Sequence, residues 1–235
     1  MNMDDVKRYE YRYFCESESC EKARGYMDSI STLTRIEYPN PITETVYFTH
    51  GLRFQYQTPK DLVVRIRRYV AQETEVLEIN HEPVFLEVKM TQEGIANIKK
   101  RLLINGVDAI NILTRTEQES RADKILLEIG GIPPLVPTGA TQSHRYHWTH
   151  TSGIRITLDQ DIRFFLFQGC LYKARLIENL GESKLEFKFP KSGTENLDIK
   201  QQIIARCGCA KRDFDYLERR SKECLVKNSQ KTSEP

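Results

Sequence analysis

Five short blocks of this chain place charged residues at every second position. Side chains in an extended strand point alternately to its two faces, so residues two apart share a face. In RYEYRYF this sets Arg8, Glu10 and Arg12 against Tyr9, Tyr11 and Tyr13. In VVRIRRY, Arg65 and Arg67 lie opposite Val64, Ile66 and Arg68. VFLEVKM groups Phe85, Glu87 and Lys89 against Val84, Leu86, Val88 and Met90. GIRITLD groups Arg155, Thr157 and Asp159 against Ile154, Ile156 and Leu158, and KLEFKF groups Lys184, Glu186 and Lys188 against Leu185, Phe187 and Phe189. The pattern predicts antiparallel strands with one charged and one largely apolar face.

One account of such faces is plain solvation. The composition argues for another, because each charged face combines Arg or Lys with an acid or a second Arg, whereas solvated faces more often mix Ser, Thr, Gln and Lys. If the strands close into one barrel with these faces inward, they line a tunnel with cations and a few carboxylates. A triphosphate, with about four negative charges, suits that lining, since guanidinium forks match phosphate oxygens bidentately. Carboxylates would repel it unless a hard divalent cation lies between, so the glutamates are the expected seat of Mg²⁺ or Mn²⁺. No glycine-rich phosphate loop is present. Lys plus Arg number 35 against 33 for Asp plus Glu, a net charge of +2. That balance is too even for a protein that coats DNA, and any anion site must gather its positive charge locally.

Strands are expected at 7–14, 34–38, 43–49, 52–56, 61–71, 73–80, 83–90, 143–149, 152–158, 161–167, 173–178 and 184–189. Helices are expected at 16–31, 91–103 (a Thr91 cap with Glu93 in the first turn), 108–129, 196–206 and 213–226. The expectation is one α+β domain over residues 1–226, followed by a polar tail at 227–235. No apolar run reaches membrane-span length and the opening MNMDDVKRYEYRYF is unlike a signal peptide, so a soluble, cytoplasmic chain is expected. The six cysteines include no CxxC pair, which leaves a four-thiolate zinc site without support, and Cys207 and Cys209 read as reduced thiols.

The ordered series RYEYRYF, VYF, VVRIRRY, VFLEVKM, HRYHW, GIRITLD and KLEFKF resembles the VTC (vacuolar transporter chaperone) domain, a branch of the CYTH-like triphosphate tunnel enzymes. The resemblance runs from about Arg8 to Lys211. It implies an antiparallel β-barrel with a charged interior and helices packed outside. It also implies an enzyme that extends polyphosphate from ATP with a divalent metal. Carried over residue by residue, Arg12, Arg65, Arg67, Lys89, Arg145, Arg155, Lys188 and Lys211 would bind phosphates, with Arg65, Arg67, Arg155 and Lys188 also catalytic. Glu186 matches the family's metal-holding glutamate, and Glu10 and Glu87 lie where related enzymes place further carboxylates. The sequence departs from the family after VYF, where Thr49-His50-Gly51 stands in place of Asp-Thr. Its first strand has Arg8 and Glu10, not the two glutamates of CYTH phosphatases.

Three functions fit these residues. A polyphosphate polymerase would pass the γ-phosphate of ATP to a phosphate chain. A tripolyphosphatase or nucleoside triphosphatase would use water instead, with Glu10 or Glu87 as base. A non-catalytic module would bind polyphosphate or another polyanion. ATP, polyphosphate or another triphosphate is the expected partner, Mn²⁺ or Mg²⁺ the expected cofactor, and no nucleic acid is expected. Other features have plainer readings: His144, His147 and His150 do not share one strand face, Lys99-Lys100-Arg101 forms a solvated helix face, and Trp148 and Phe164 to Phe167 are core.

Overall fold

A computed structural model describes residues 9–50, 62–74, 76–78, 83–92, 95–114, 124, 135–167, 173–190 and 197–211. In chain order the elements are β1 (Tyr9–Glu16), α1 (Ser17–Ser29), β2 (Leu33–Ile36), β3 (Ile42–His50), β4 (Leu62–Val70), β5 (Val76–Glu78), β6 (Val84–Gln92) and β7 (Ile95–Ile104). They continue with α2 (Gly106–Thr114), β8 (Leu135–His150), β9 (Arg155–Phe167), β10 (Lys173–Asn179), β11 (Glu182–Phe189), α3 (Leu197–Cys207) and β12 (Ala210–Lys211). All the described strands belong to one antiparallel sheet, whose main path runs β12-β1-β11-β9-β8-β3-β4-β6-β7. Expected strands at 34–38, 43–49, 61–71 and 83–90 appear as β2, β3, β4 and β6. The two segments at 152–158 and 161–167 run together as β9.

Apolar residues hold this sheet on its outer side in two clusters. One joins Tyr11, Tyr13, Trp148, Ile156, Leu158, Leu185, Phe187 and Phe189 to Ala23 and Met27 of α1 and Ile199 and Ile203 of α3. The other joins Val46, Val64, Ile66, Leu86 and Val88 to Ala109 and Ile112 of α2. Trp148, Phe164 and Phe165 are nearly inaccessible, as core residues should be. The helices thus cover the apolar face and leave the charged face to the interior. No helix among the described residues is long and apolar enough to cross a membrane.

Two expectations require correction. The segment 91–103 is not a helix: residues 95–104 form β7, paired with β6 from Val84↔Ile104 to Gln92↔Ile95. Lys, Arg and Leu favour helix locally, but pairing along β6 satisfies the backbone and buries Ile104, and that tertiary gain overrides propensity. The barrel is also not closed, because the described path ends at β12 on one side and β7 on the other. In addition, Cys15 at the end of β1 is disulfide-bonded to Cys20 in α1, a pairing with no signal in the sequence, while Cys207 and Cys209 are free thiols. The expected elements at 52–56 and 213–226, and most of 108–129 beyond Thr114, lie outside the described residues.

Candidate functional site

Antiparallel partners share a face, so register carries the two-residue alternation from strand to strand. Starting at β1, Arg12 pairs with Glu186 of β11, which pairs with Thr157 of β9, which pairs with His147 of β8. Two residues along, Lys184 pairs with Asp159 and Asp159 with Arg145. On the other half, Thr141 of β8 pairs with Thr45 of β3, Thr45 with Arg67 of β4, Tyr47 with Arg65, Arg65 with Glu87 of β6, and Glu87 with Arg101 of β7. One charged row therefore crosses eight strands.

The sheet curls around this row. Arg67 of β4 and Lys184 of β11 line the same cleft, with Thr43, Thr45, Tyr47, Thr141, Ser143, Arg145, Asp159 and Ile162. Four strand-to-strand steps separate β4 from β11, about 19 Å across a flat sheet at about 4.8 Å per step. Both can face one cleft only if the sheet bends. A bulge helps: the β8–β9 register shifts between Gln142 and His144, and Asp161 of β9 sits opposite that shift with φ +52°. The extra residue brings Ile162 onto the face of Asp159, and Asp tolerates the left-handed conformation better than most residues.

Most charges in the row are compensated. Arg12 donates through Nε to Glu186 (3.0 Å) and through a terminal nitrogen to Glu10 (2.5 Å). Lys188 reaches Glu10 at 3.1 Å and also pairs with Glu186. Arg145 grips both oxygens of Asp159 at 2.6 and 2.8 Å, and Lys184 reaches the same carboxylate at 2.5 Å. Glu87, fully inaccessible, lies between Arg65 (2.6 Å) and Arg101 (2.8 Å). Arg67 instead donates to the Thr45 hydroxyl (3.1 Å), and Arg155 lies against His147 Nε2 (3.1 Å). Neither has a carboxylate partner among the described residues. Eight described cations of the row (Arg12, Arg65, Arg67, Arg101, Arg145, Arg155, Lys184, Lys188) face four carboxylates (Glu10, Glu87, Asp159, Glu186). A chain with a net charge of +2 thus holds, among its described residues, a surplus of four positive charges on this one face.

This surplus shifts the titrating groups. Burial alone would raise the Asp159 carboxyl, but Arg145 and Lys184 hold it well below the usual carboxylate range. Burial lowers Arg67, and the neighbouring Arg65 lowers it further. Burial, then the charges of Arg145 and Arg155, push His147 down to about 4, so its ring is neutral near pH 7. An unfolded His titrates near 6.5 and takes up its proton between pH 6.5 and 4, where the native ring refuses it. Stability is therefore complete above about pH 6.5 and falls as pH drops towards 4, by at most about 3 kcal/mol from this group. Denaturant unfolding at pH 7 and pH 4.5 should show the loss, and His147→Gln should flatten it; an equal slope in the variant would remove His147 as its source.

Of the residues singled out from sequence, Glu10, Arg12, Arg65, Arg67, Glu87, Arg145, Arg155, Glu186 and Lys188 all fall on this row. Lys89 holds a register position two residues from Glu87, and its side chain lies outside the described residues. Lys211 pairs with Tyr13, out of step with Glu10 and Arg12, and its side chain is likewise not described. Asp159, Lys184 and His147 belong to the row but were not singled out for the site, although their faces were legible. Arg101 was lost because a helix was expected there. Its guanidinium lies 4.0 Å over the Phe85 ring and bonds the Tyr69 hydroxyl at 3.0 Å.

No family profile and no curated protein matches the sequence. Solved structures do. A candidate adenylate cyclase from Bacillus halodurans superimposes with a TM-score of 0.56 at 13% identity, covering 90% of this chain and 95% of that one. A candidate adenylyl cyclase from Hippeastrum with a dominant triphosphatase activity superimposes with a TM-score of 0.54 at 13% identity, covering 92% of this chain and 96% of that one. The chain has the triphosphate tunnel fold. The charged row lies on the inner face of this sheet, whose described part stays open.

Proposed function

We propose that the chain is a metal-dependent phosphotransferase of the polyphosphate-polymerase, VTC-domain type, which binds ATP or polyphosphate along the charged row. The observation that carries this reading is the surplus of four cations on one face among the described residues. It matches the roughly four negative charges of a triphosphate, and the cations come from strands that a single bent chain of phosphates would cross. Arg67 and Arg155, which have no carboxylate partner among the described residues, take phosphate oxygens directly, while Arg12, Arg65, Arg145 and Lys188 are held in place by theirs. Lys89 is proposed to bind phosphate from its register position two residues from Glu87. Charge spreading over the transferred phosphoryl group meets donors already oriented, which is where such a site lowers a barrier.

The metal fits one corner of the row. Glu10 and Glu186 converge on Lys188 Nζ, offer hard oxygen donors, and are accessible to 18% and 9%. Two carboxylates completed by phosphate oxygens suit Mg²⁺ or Mn²⁺, which would offset phosphate charge there. Glu87, also paired with two cations, fits less well because it is fully inaccessible, and it orients Arg65 and Arg101 instead. A second reading, triphosphate hydrolysis, is favoured by the activity of the Hippeastrum structure and by Glu10, the most accessible carboxylate of the row and so the best placed to activate water.

Incubation with γ-labelled ATP and Mn²⁺ or Mg²⁺, resolved on a gel, separates the readings. Long labelled chains support the polymerase, and free phosphate alone moves the assignment to a triphosphatase. Tight binding without turnover leaves a polyanion-binding module. Glu186→Gln should lower metal-dependent turnover by about two orders of magnitude, and full turnover in that variant would remove the proposed metal corner.

A further inference from the structure

The four cysteines Cys15, Cys20, Cys207 and Cys209 come together on the outer side of the sheet, away from the charged row. Cys15 shares the Tyr11 and Tyr13 face of β1, and β12 pairs with that strand at Phe14↔Ala210 and Tyr13↔Lys211. Cys209 is thereby set beside Cys15, while the packing of α1 against α3 brings in Cys20 and Cys207. The sulfurs of Cys15, Cys20 and Cys209 all lie within 4.8 Å of one another. The Cys207 thiol is hydrogen-bonded to that of Cys209. Between them Gly208 adopts φ +58°, a left-handed turn that folds two nearly adjacent thiols back on each other and that a side chain would strain.

We propose that these four thiolates form a structural zinc site in the reduced protein. Tetrahedral zinc with bonds of about 2.3 Å holds its sulfurs about 3.8 Å apart, a separation that fits within the 4.8 Å spanned by the sulfurs of Cys15, Cys20 and Cys209 once the disulfide is opened. The cluster has no oxygen donor, a set that selects zinc over magnesium or calcium. Cys15, Cys20 and Cys207 are at most 3% exposed, which keeps water from a bound ion. The disulfide between Cys15 and Cys20 is the oxidised alternative. Two thiols of a cellular dithiol or glutathione give up two electrons and two protons to it, becoming a disulfide themselves and leaving Cys15 and Cys20 as thiols. Zinc then displaces the thiol protons as it binds. The consequence is a clasp that ties β1 and α1 to α3 and β12, independent of what the charged row does.

The test uses the whole chain, reduced with dithiothreitol, desalted without oxygen, and titrated with Co²⁺ and then Zn²⁺. One cobalt per chain with the intense visible absorption of a tetrahedral thiolate site, bleached by zinc, supports the proposal. So does loss of that spectrum in Cys207→Ser/Cys209→Ser and its retention in Cys170→Ser/Cys224→Ser. No such spectrum in the reduced wild type overturns it, as does an unchanged spectrum in the Cys207/Cys209 variant or equal metal binding by the oxidised protein. Should that variant fail to fold, alkylation of the reduced wild type decides. Zinc should shield four of the six cysteines from iodoacetamide, and equal labelling of all six rejects the site.

Discussion

Arg67→Ala should lose two to three orders of magnitude in kcat/KM for ATP while its unfolding midpoint stays level or rises. The catalytic loss is the scale seen when one preorganised donor is removed from a charge-stabilising site. The stability result follows from how Arg67 is held. It is buried, bonded to the neutral Thr45 hydroxyl, without a carboxylate partner among the described residues, and depressed by burial and by Arg65. A buried cation in that setting destabilises the free protein and, under the proposed function, gains its partner when phosphate arrives. Removing it relieves repulsion in the apo state and removes attraction in the complex. Arg67→Lys keeps charge but loses the guanidinium fork, so it should recover only part of the activity. Steady-state kinetics with thermal unfolding of the same samples checks both halves. A variant with near-normal turnover and a lower midpoint would make Arg67 a structural residue and take the charged row's central cation out of the site.

That division between structural and functional charge was only partly visible in the sequence. Alternation in RYEYRYF, GIRITLD and KLEFKF was enough to set Arg12, Arg155 and Lys188 on charged faces, because a period of two survives any packing arrangement. Which charges neutralise which was not visible. Arg145 meets Asp159 and Lys184 through the register of β8, β9 and β11, which is set by the turn between β8 and β9 and by long-range pairing of β9 with β11 that no local pattern announces. Arg101 went astray for a different reason: IANIKKRLLI has helix-forming residues, and only pairing with β6 makes it a strand that carries Arg101 to Glu87. The cysteine cluster was hidden by distance along the chain, since its two halves meet only when β12 joins β1. Closure of the barrel is what the family resemblance implies, whereas the charge pattern suggests which face is inward and not whether the edge strands pair.

Asp159→Asn should destabilise the protein by about 3–5 kcal/mol, because it strands the buried Lys184 and the half-buried Arg145 at once. The carboxylate is 2% exposed, takes two bonds from Arg145 and one from Lys184, and stays ionised far below the usual carboxylate range because burial is outweighed by those two charges. Asn preserves shape and removes only the charge. For a chain of 235 residues a loss of this size lowers the unfolding midpoint by about 10 °C. Tripolyphosphate should then raise the midpoint further in the variant than in the wild type, since the ligand supplies the negative charge that Asp159 no longer does. The opposite order would mean that the ligand does not reach Arg145 and Lys184, and that the phosphate path runs along Arg155 and Lys188 instead. A midpoint within about 2 °C of wild type would show that Arg145 and Lys184 find solvent or another partner when Asp159 is neutral. Ligand rescue also bears on the open sheet: a phosphate chain bound between Arg67 of β4 and Lys184 of β11 would link strands that no backbone pairing joins, and so contribute by charge some of the closure that the described strands lack.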